Sequence, residues 1–415
     1  MSWLPPALAA LGVVGLVLAL VSGPLQRWVP LSEPLVALLL GVLAGPAVLG
    51  LVRLEQETTD LVLLEGSRVL LAASVMAAAL RYPASSLRRL VRPTLLLLAV
   101  VMPLAALATA ASALVLAVPL SLALLVGACL APTDPVLAAA VVTGEPAGRT
   151  LPHRVRGLLT LESGANDGLG VVLVVVLVAV VLPAAGVGEA LALVAWEVVA
   201  GVAVGGVLGW LAGLGLQAAD RRDDVGEGPE LVYTLLLALG VLGVARTIGA
   251  AGVLAVFVAG LAYNHVVSDS PRDKQEAVDE GVNRYAVLPL FAVLGAVLPW
   301  AAWADWGWRA VAFAVLVLLV RRLPFLTVLR RPLGLQPHQA HFMGFFGPMG
   351  VSALFYLAHA RHEGVHDPQL FAAVTLAVAA SVVAFGFSAT PVRRGYARRH
   401  GHEGQQEREE PSVTG

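Results

Sequence analysis

Two carboxylic acids and two small polar residues lie inside a long apolar run in the middle of the chain. They are Glu162, Ser163, Asn166 and Asp167, in the stretch LLTLESGANDGLGVVLVVVLVAVVL. A charged side chain at the centre of a bilayer costs about 3 kcal/mol or more, and such residues usually mark an ion or proton pathway. Their presence in one apolar helix therefore predicts an ion carrier.

The spacing of these residues places their oxygens on one side of a helix. On a helix that advances about 100° per residue, all four polar side chains share one face. The other face carries Gly164 and Gly168, which would allow close packing against a neighbouring helix. A third carboxylate, Asp134, lies in the apolar segment ACLAPTDPVLAAAVV. Hard oxygen ligands of this kind suit a small alkali cation or a proton.

Composition sets the class of protein that must position these side chains. The chain has 415 residues, of which 58% are hydrophobic and 13% charged, with a mean hydropathy of +0.83. These values exclude an ordinary soluble domain and are typical of a helical protein with many membrane spans. The net charge is -1, and we expect no nucleic acid partner. The single cysteine excludes an intrachain disulfide.

Apolar runs long enough to cross a bilayer recur along most of the sequence. We predict an all-α polytopic membrane protein with about thirteen transmembrane helices. The predicted spans are 3–22, 34–52, 60–80, 93–116, 119–143, 153–182, 188–217, 230–247, 249–265, 282–300, 307–329, 338–360 and 367–391. They form a transporter domain over residues 1–400, and the polar residues 401–415 are predicted to be a disordered cytoplasmic tail.

The distribution of positive charge predicts the orientation. Most of the 27 Lys and Arg residues fall in the segments that follow odd-numbered spans. Because cytoplasmic segments are enriched in Lys and Arg, these segments are expected in the cytoplasm. The N-terminus would then lie outside the cell and the C-terminus in the cytoplasm, with the protein in the cell membrane.

Two of the predicted spans are broken by proline and glycine. The fifth span is interrupted at residues 131–135 (APTDP), and the twelfth at residues 344–350 (GFFGPMG). Such breaks free backbone groups that lipid cannot satisfy, so they must line a cavity or pack inside protein. Each broken span is the fifth of a group of six, with the seventh span as connector. Matching breaks in two halves are typical of inverted-repeat transporters, whose site lies at the crossing.

Each buried charge also has a purely structural interpretation. Glu162 would form an ion pair with Arg321 or Arg322 in the eleventh span, since an unpaired charge at that depth is costly. The other arginine could extend to the interface, which would leave Asp167 to bind a cation or proton. Asp134 could be a direct ligand or a support for the broken backbone. Asn166 is expected to bind freed backbone groups rather than the ion.

These motifs resemble a known transporter family. TDPVLAAAVV followed by LLTLESGANDG resembles the monovalent cation:proton antiporter-1 family, the NhaP-type sodium/proton antiporters. Three further segments resemble a branch shared with fungal plasma-membrane antiporters, namely VRRLP, FFGPMGVSALFYLAHAR and NRYAVLPLFAVLGAVLPW. The resemblance implies exchange of a monovalent cation for a proton by alternating access, with Na⁺ as the first candidate and Li⁺ or K⁺ as alternatives. It implies transport without a cofactor.

The resemblance also implies roles for individual residues. Asp167 would bind the cation or the proton in turn, and the preceding Asn166 would mark the electroneutral type. The residues implied as further ligands of the transported Na⁺ are Thr133, Asp134 and Ser163. Glu162 would pair with an arginine of the eleventh span, with Arg321 preferred slightly over Arg322.

The fold implied by the resemblance is an NhaA-like pair of domains with inverted repeats and two broken crossing helices. A moving core would contain spans 4–6 and 11–13, and the remaining spans would form the interface of a homodimer. The chain departs from the family in two places. Many relatives have arginine at the position of Met349, and an acidic residue of the third span has no counterpart in LLAASVMAAAL.

Three other functions compete with this interpretation. A channel or a cation-coupled solute symporter could use similar broken helices. The sequence His362-Glu363-Gly364-Val365-His366 matches the H-E-x-x-H pattern of zinc proteases. Because Gly364 interrupts that motif and Asp367-Pro368 follows it, a membrane metalloprotease is the weakest alternative.

Overall fold

A computed structural model describes residues 32–81, 89–142, 151–182, 187–220, 229–267 and 281–409. These residues form helices joined by short connections and no strands. In chain order the helices are α1 (Glu33–Ala44), α2 (Gln56–Leu80), α3 (Val91–Leu116), α4 (Leu120–Leu130), α5 (Pro135–Val142), α6 (His153–Val181), α7 (Val187–Asp220), α8 (Pro229–Thr247), α9 (Gly252–Val266), α10 (Leu288–Ala296), α11 (Trp300–Trp306), α12 (Trp308–Val320), α13 (Leu323–Val328), α14 (Pro337–Phe345), α15 (Val351–His362) and α16 (Pro368–Glu409).

The helices have the length and hydropathy of a multi-pass membrane protein. Six of those described could each cross a membrane, namely α2, α3, α6, α7, the joined α12 and α13, and α16. A seventh is obtained if α10 and α11, which meet at a bend of 63°, count as one span. The all-helical class predicted from the sequence is confirmed. The total of thirteen stays a prediction, and its first span, 3–22, lies outside the described residues.

Both predicted breaks are present. The fifth predicted span is divided into α4 and α5, and the twelfth into α14 and α15. Pro135 begins α5, where its missing N–H has no partner to lose. Between α14 and α15 the chain is irregular from Phe346 to Gly350, because Pro348 cannot donate to the preceding turn and the glycines do not favour a helix.

One further interruption and one early helix end were not predicted. The eleventh predicted span bends at Arg321 and Arg322, between α12 and α13. Pro324, which lies in the first turn of α13, cannot complete the hydrogen-bond ladder back into α12. The second predicted span is shorter than expected, since α1 ends at Ala44 just before Gly45 and Pro46.

The last helix is longer than the sequence indicated. α16 continues to Glu409, so residues 401–409 are helical where a disordered tail was predicted. Extending an existing helix needs no new nucleus, and the Glu, Gln and Arg residues of this segment are good helix formers. Residues 410–415 lie outside the described part of the chain.

The glycine face of α6 packs closely against α9, as its spacing predicted. A Cβ added at Gly164 would lie 2.5 Å from Cε2 of Phe257, and one at Gly168 would lie 2.7 Å from Cβ of Leu254. Real Cβ atoms do not approach other carbon atoms so closely, so a side chain at Gly164 would displace the Phe257 ring and one at Gly168 would push the backbone of α9 away. The polar face of α6 is thereby turned towards the broken helices.

We expect Gly168→Val to destabilise the protein by about 1–3 kcal/mol, because α6 and α9 would have to separate. Thermal unfolding of the purified protein in detergent would measure the loss. Gly240→Val in α8 is the matched control, since no atom of the described residues lies within 4 Å of a Cβ added at Gly240. Equal unfolding temperatures for Gly168→Val and the native chain would contradict the tight contact.

Candidate functional site

The two broken helices meet directly at their breaks. The backbone N–H of Asp134, between α4 and α5, donates to the carbonyl of Pro348, between α14 and α15, at 2.9 Å. Four helix ends therefore converge at one place inside the protein. The N-termini of α5 and α15 bring partial positive charge, and the C-termini of α4 and α14 bring partial negative charge.

Asp134 lies at the two positive ends. Its Oδ2 accepts from the N–H of Leu137 in α5 at 2.8 Å, and its Oδ1 accepts from the N–H of Ser352 in α15 at 3.3 Å. A Cβ added at Gly350 would lie 2.7 Å from Oδ2, so the close approach of the second break requires glycine there. Of the two roles that the sequence left open for Asp134, support of the broken backbone is visible in these hydrogen bonds.

Arg321 lies at the two negative ends. Its guanidinium donates to the carbonyls of Leu130, Ala131 and Pro132 at 2.7, 3.0 and 3.1 Å, and also to that of Gly347. The side chain is only 2% exposed. The expectation that the second arginine extends to the membrane interface is therefore wrong, because the carbonyls freed by the breaks hold it at the crossing.

Glu162 forms its ion pair with Arg322, and the slight preference for Arg321 is wrong. The two guanidinium nitrogens of Arg322 donate to the two carboxylate oxygens at 2.6 and 2.9 Å. Both side chains are buried. The bend between α12 and α13 explains why Arg322 is the partner of Glu162. It directs Arg321 towards the breaks and Arg322 towards α6.

Thr133, Ser163 and Asn166 form a small hydroxyl and amide cluster beside the break. Thr133 Oγ1 lies 3.2 Å from Ser163 Oγ and accepts from Asn166 Nδ2 at 2.8 Å. The prediction that Asn166 binds freed backbone is wrong, because its amide binds the Thr133 side chain instead. The Oδ1 of Asn166 is buried and has no partner among the described residues.

Asp167 stands apart from the other acids. It is 0% exposed, and neither carboxylate oxygen has a hydrogen-bond partner in the part of the chain that the structure describes. Its backbone carbonyl accepts from Tyr356 Oη at 2.6 Å, which fixes this turn of α6 against α15. A buried acid without any protein partner is costly, so this carboxyl needs a proton or a cation.

The sequence did not single out three residues of the site. Ser352 lies in the first turn of α15 beside both Asp134 and Asp167, Tyr356 lies one turn further on, and Ser381 Oγ accepts from the N–H of Met349 at 2.8 Å. A small polar residue in an otherwise apolar helix is the signal that could have identified both serines. Met349 itself is buried.

The zinc-protease pattern does not form a metal site. α15 ends at His362, and Gly364 has a φ of +107°, so His362 and His366 do not share a helical face. Within the described ranges, no group of three His, Cys, Asp or Glu residues could hold a metal ion.

Comparison with known proteins identifies a matching family and several relatives. Residues 15–395 match the family described as sodium/hydrogen exchanger, transmembrane. Na(+)/H(+) antiporter 2 of Zygosaccharomyces rouxii is 29% identical over 370 residues, which are 84% of this chain and 45% of that protein. A probable Na(+)/H(+) antiporter of Schizosaccharomyces pombe is 30% identical over 347 residues, 80% of this chain and 46% of that protein. The chain thus spans about half the length of these relatives.

Solved structures show the same fold. The sodium proton antiporter MjNhaP1 from Methanocaldococcus jannaschii superimposes with a TM-score of 0.74 at 17% identity, covering 97% of this chain and 98% of that one. An electron-microscopy structure of the same antiporter gives a TM-score of 0.70 at 19% identity, covering 99% and 100%.

Proposed function

The chain belongs to the sodium/hydrogen exchanger family, and we propose that it exchanges a monovalent cation for protons across a membrane, with Asp167 binding each in turn. The observation that carries this proposal is the complete burial of Asp167 without a hydrogen-bond partner for either carboxylate oxygen among the described residues. The other strong charges at the crossing are already bound, Asp134 and Arg321 by backbone and Glu162 by Arg322.

Competition between the two ligands follows from electrostatics. Desolvation disfavours the charged form of a buried carboxyl and so favours binding of a proton. A cation at the carboxylate favours the charged form instead. Asp167 can therefore hold a proton or a cation, and not both at once. If the site changes sides only when it is occupied, one cation moves in one direction for each proton that moves in the other, which makes the exchange electroneutral.

Alternating access requires one part of the protein to move against another. We assign α3–α6 and α12–α16 to a moving core and the remaining helices to an interface domain that forms a homodimer. The contact between α6 and α9 lies on the proposed boundary, where Gly164 and Gly168 of α6 face Phe257 and Leu254 of α9 without side chains of their own. α7 is the least buried of the long apolar helices, since only 22% of its most apolar segment is buried inside the protein. This exposure suits contact with lipid or with a second subunit.

The proposed location is the cell membrane, with the N-terminus outside and the C-terminus in the cytoplasm. The support is the accumulation of Lys and Arg in the segments that follow odd-numbered predicted spans. In a cell membrane, an inward Na⁺ gradient would drive protons out of the cell through such an exchanger, and the protein would contribute to pH homeostasis. The proposed cation is Na⁺, with Li⁺ and K⁺ as the alternatives to be compared.

Proteoliposomes test this proposal. We expect an imposed Na⁺ gradient to move protons in the opposite direction, with saturation by Na⁺ and no dependence on membrane potential. A pH-sensitive dye inside the vesicles measures the exchange, and parallel gradients of Li⁺ and K⁺ measure selectivity. Current that does not require a counter-ion would identify a channel, and co-directional solute uptake would identify a symporter. Either result would overturn the proposal.

A further inference from the structure

Unpartnered buried oxygens are concentrated around Asp167. Both carboxylate oxygens of Asp167 and the hydroxyl of Ser352 lack a hydrogen-bond partner in the described ranges. Ser352 and Asp167 are almost completely buried, at 1% and 0% exposure. Because buried polar atoms nearly always have partners, a group of them on facing helices indicates a ligand that the protein itself does not supply.

The side chains implied as ligands by family resemblance are engaged elsewhere. Thr133 accepts from Asn166 and contacts Ser163, and Asp134 accepts from two backbone N–H groups. Each of these side chains already makes at least one hydrogen bond, which limits the directions from which a cation could reach its remaining lone pairs. Among the described residues, the hydroxyl of Ser352 makes no hydrogen bond of normal geometry.

The position of Ser352 is fixed by its backbone rather than by its side chain. Its N–H donates to Asp134 Oδ1 at 3.3 Å, and its hydroxyl lies beside the carboxylates of both Asp134 and Asp167 without normal hydrogen-bond geometry to either. The Asp134 carboxylate also offsets the positive dipole at the start of α15. A cation can therefore approach this helix N-terminus, which would otherwise repel it.

We infer that the Ser352 hydroxyl is a direct ligand of the transported cation and, together with Asp167, forms the centre of its binding site. This inference rests on the proposed exchange function and adds to it a residue that affects cation affinity and selectivity. Asp134 then acts on the cation mainly through the backbone that it holds. In the protonated state of the site, Ser352 Oγ can accept a hydrogen bond from the Asp167 carboxylic acid.

Substitutions that change only the hydroxyl test this inference. We expect Ser352→Ala to raise the KM for Na⁺ and Li⁺ about fivefold to tenfold, because one ligand is lost, while the maximal rate is retained. Ser352→Thr keeps the hydroxyl and should restore most of the affinity. Ser352→Cys replaces a hard oxygen with a soft sulfur and should weaken Na⁺ relative to Tl⁺. The matched control is Ser112→Ala, whose hydroxyl binds its own helix at Ala108.

A binding measurement that does not depend on transport completes the test. Bound Na⁺ stabilises the folded state, so the rise of Tm with Na⁺ in detergent should need higher Na⁺ in Ser352→Ala than in the native chain or in Ser112→Ala. Unchanged KM values and an unchanged Na⁺ dependence of Tm would overturn the role of Ser352 and leave the proposed exchange intact. A native chain that shows no cation-dependent proton movement would overturn both.

Discussion

Asp167→Asn is expected to reduce Na⁺-dependent proton movement in proteoliposomes to the level of protein-free vesicles. Asparagine has nearly the shape of aspartate, but its amide takes up no proton at neutral pH and offers a cation no negative charge. Both halves of the proposed exchange are lost together. Saturating Na⁺ should not restore activity, because the defect removes the ligand instead of weakening it.

The same substitution should leave the fold intact. Neither carboxylate oxygen of Asp167 has a protein partner in the described structure, so no hydrogen bond to the side chain is broken when the carboxylate is replaced. The desolvation cost of an ionised acid also disappears. We therefore expect a Tm at least equal to that of the native chain, and a Tm that no longer responds to Na⁺.

Two comparisons make the result specific to this acid. Asp305→Asn removes an exposed carboxylate in α11 and should exchange normally. Asp167→Glu keeps the charge on a longer side chain and should retain weak, low-affinity exchange. Robust proton movement by Asp167→Asn at any Na⁺ concentration would refute the central assignment.

The parts of the site that the sequence predicted are those set by local chemistry. Proline and glycine break a helix wherever the helix packs, so the interruptions near Asp134 and Met349 could be placed from the sequence. The periodicity of an α-helix is equally local. It predicted correctly that Gly164 and Gly168 pack against another helix, although it did not identify α9 as that helix.

The assignments that were wrong depended on tertiary geometry. The choice between Arg321 and Arg322 as the partner of Glu162 depends on the bend between α12 and α13. On a straight helix two neighbouring residues lie at nearly the same depth and differ only in the direction in which their side chains point, which the sequence does not show. The first break offers three carbonyls to one guanidinium, and their arrangement appears only when α4 has ended. The same limit concealed Ser352, which lies far from Asp167 in sequence.

Charge balance at the crossing explains why these residues occur together. Asp134 binds the N-termini of α5 and α15, and Arg321 binds the carbonyls freed at the breaks. Each thereby satisfies backbone groups that lipid could not. Since these two charges offset the helix ends and Glu162 offsets Arg322, the carboxyl of Asp167 is left as the charge that the transported ions would balance in the proposed exchange.

The buried pair of Glu162 and Arg322 leads to the largest expected loss of stability. Arg322→Met should destabilise the protein by about 3–5 kcal/mol, because it leaves the Glu162 carboxylate buried and unpaired. Glu162→Leu should cost a similar amount by leaving the guanidinium unpaired. Unfolding in mixed detergent micelles with increasing SDS would measure both.

The double variant separates pairing from packing. Glu162→Leu combined with Arg322→Met removes both charges, and we expect it to recover most of the stability that either single change loses. Arg361→Met is the matched control, since its partner Asp60 is bound at 2.8 Å but is 24% exposed and can be solvated by water. Arg361→Met should therefore lose less stability than Arg322→Met.

The activity of the double variant then distinguishes a structural pair from one that takes part in transport. If Glu162 and Arg322 only hold α6 against α12 and α13, the double variant should exchange Na⁺ for protons with a nearly native KM. A double variant that is stable but inactive would mean that the pair also takes part in transport. A double variant as unstable as either single one would instead show that the cost lies in packing, since removing both charges removes the unpaired one.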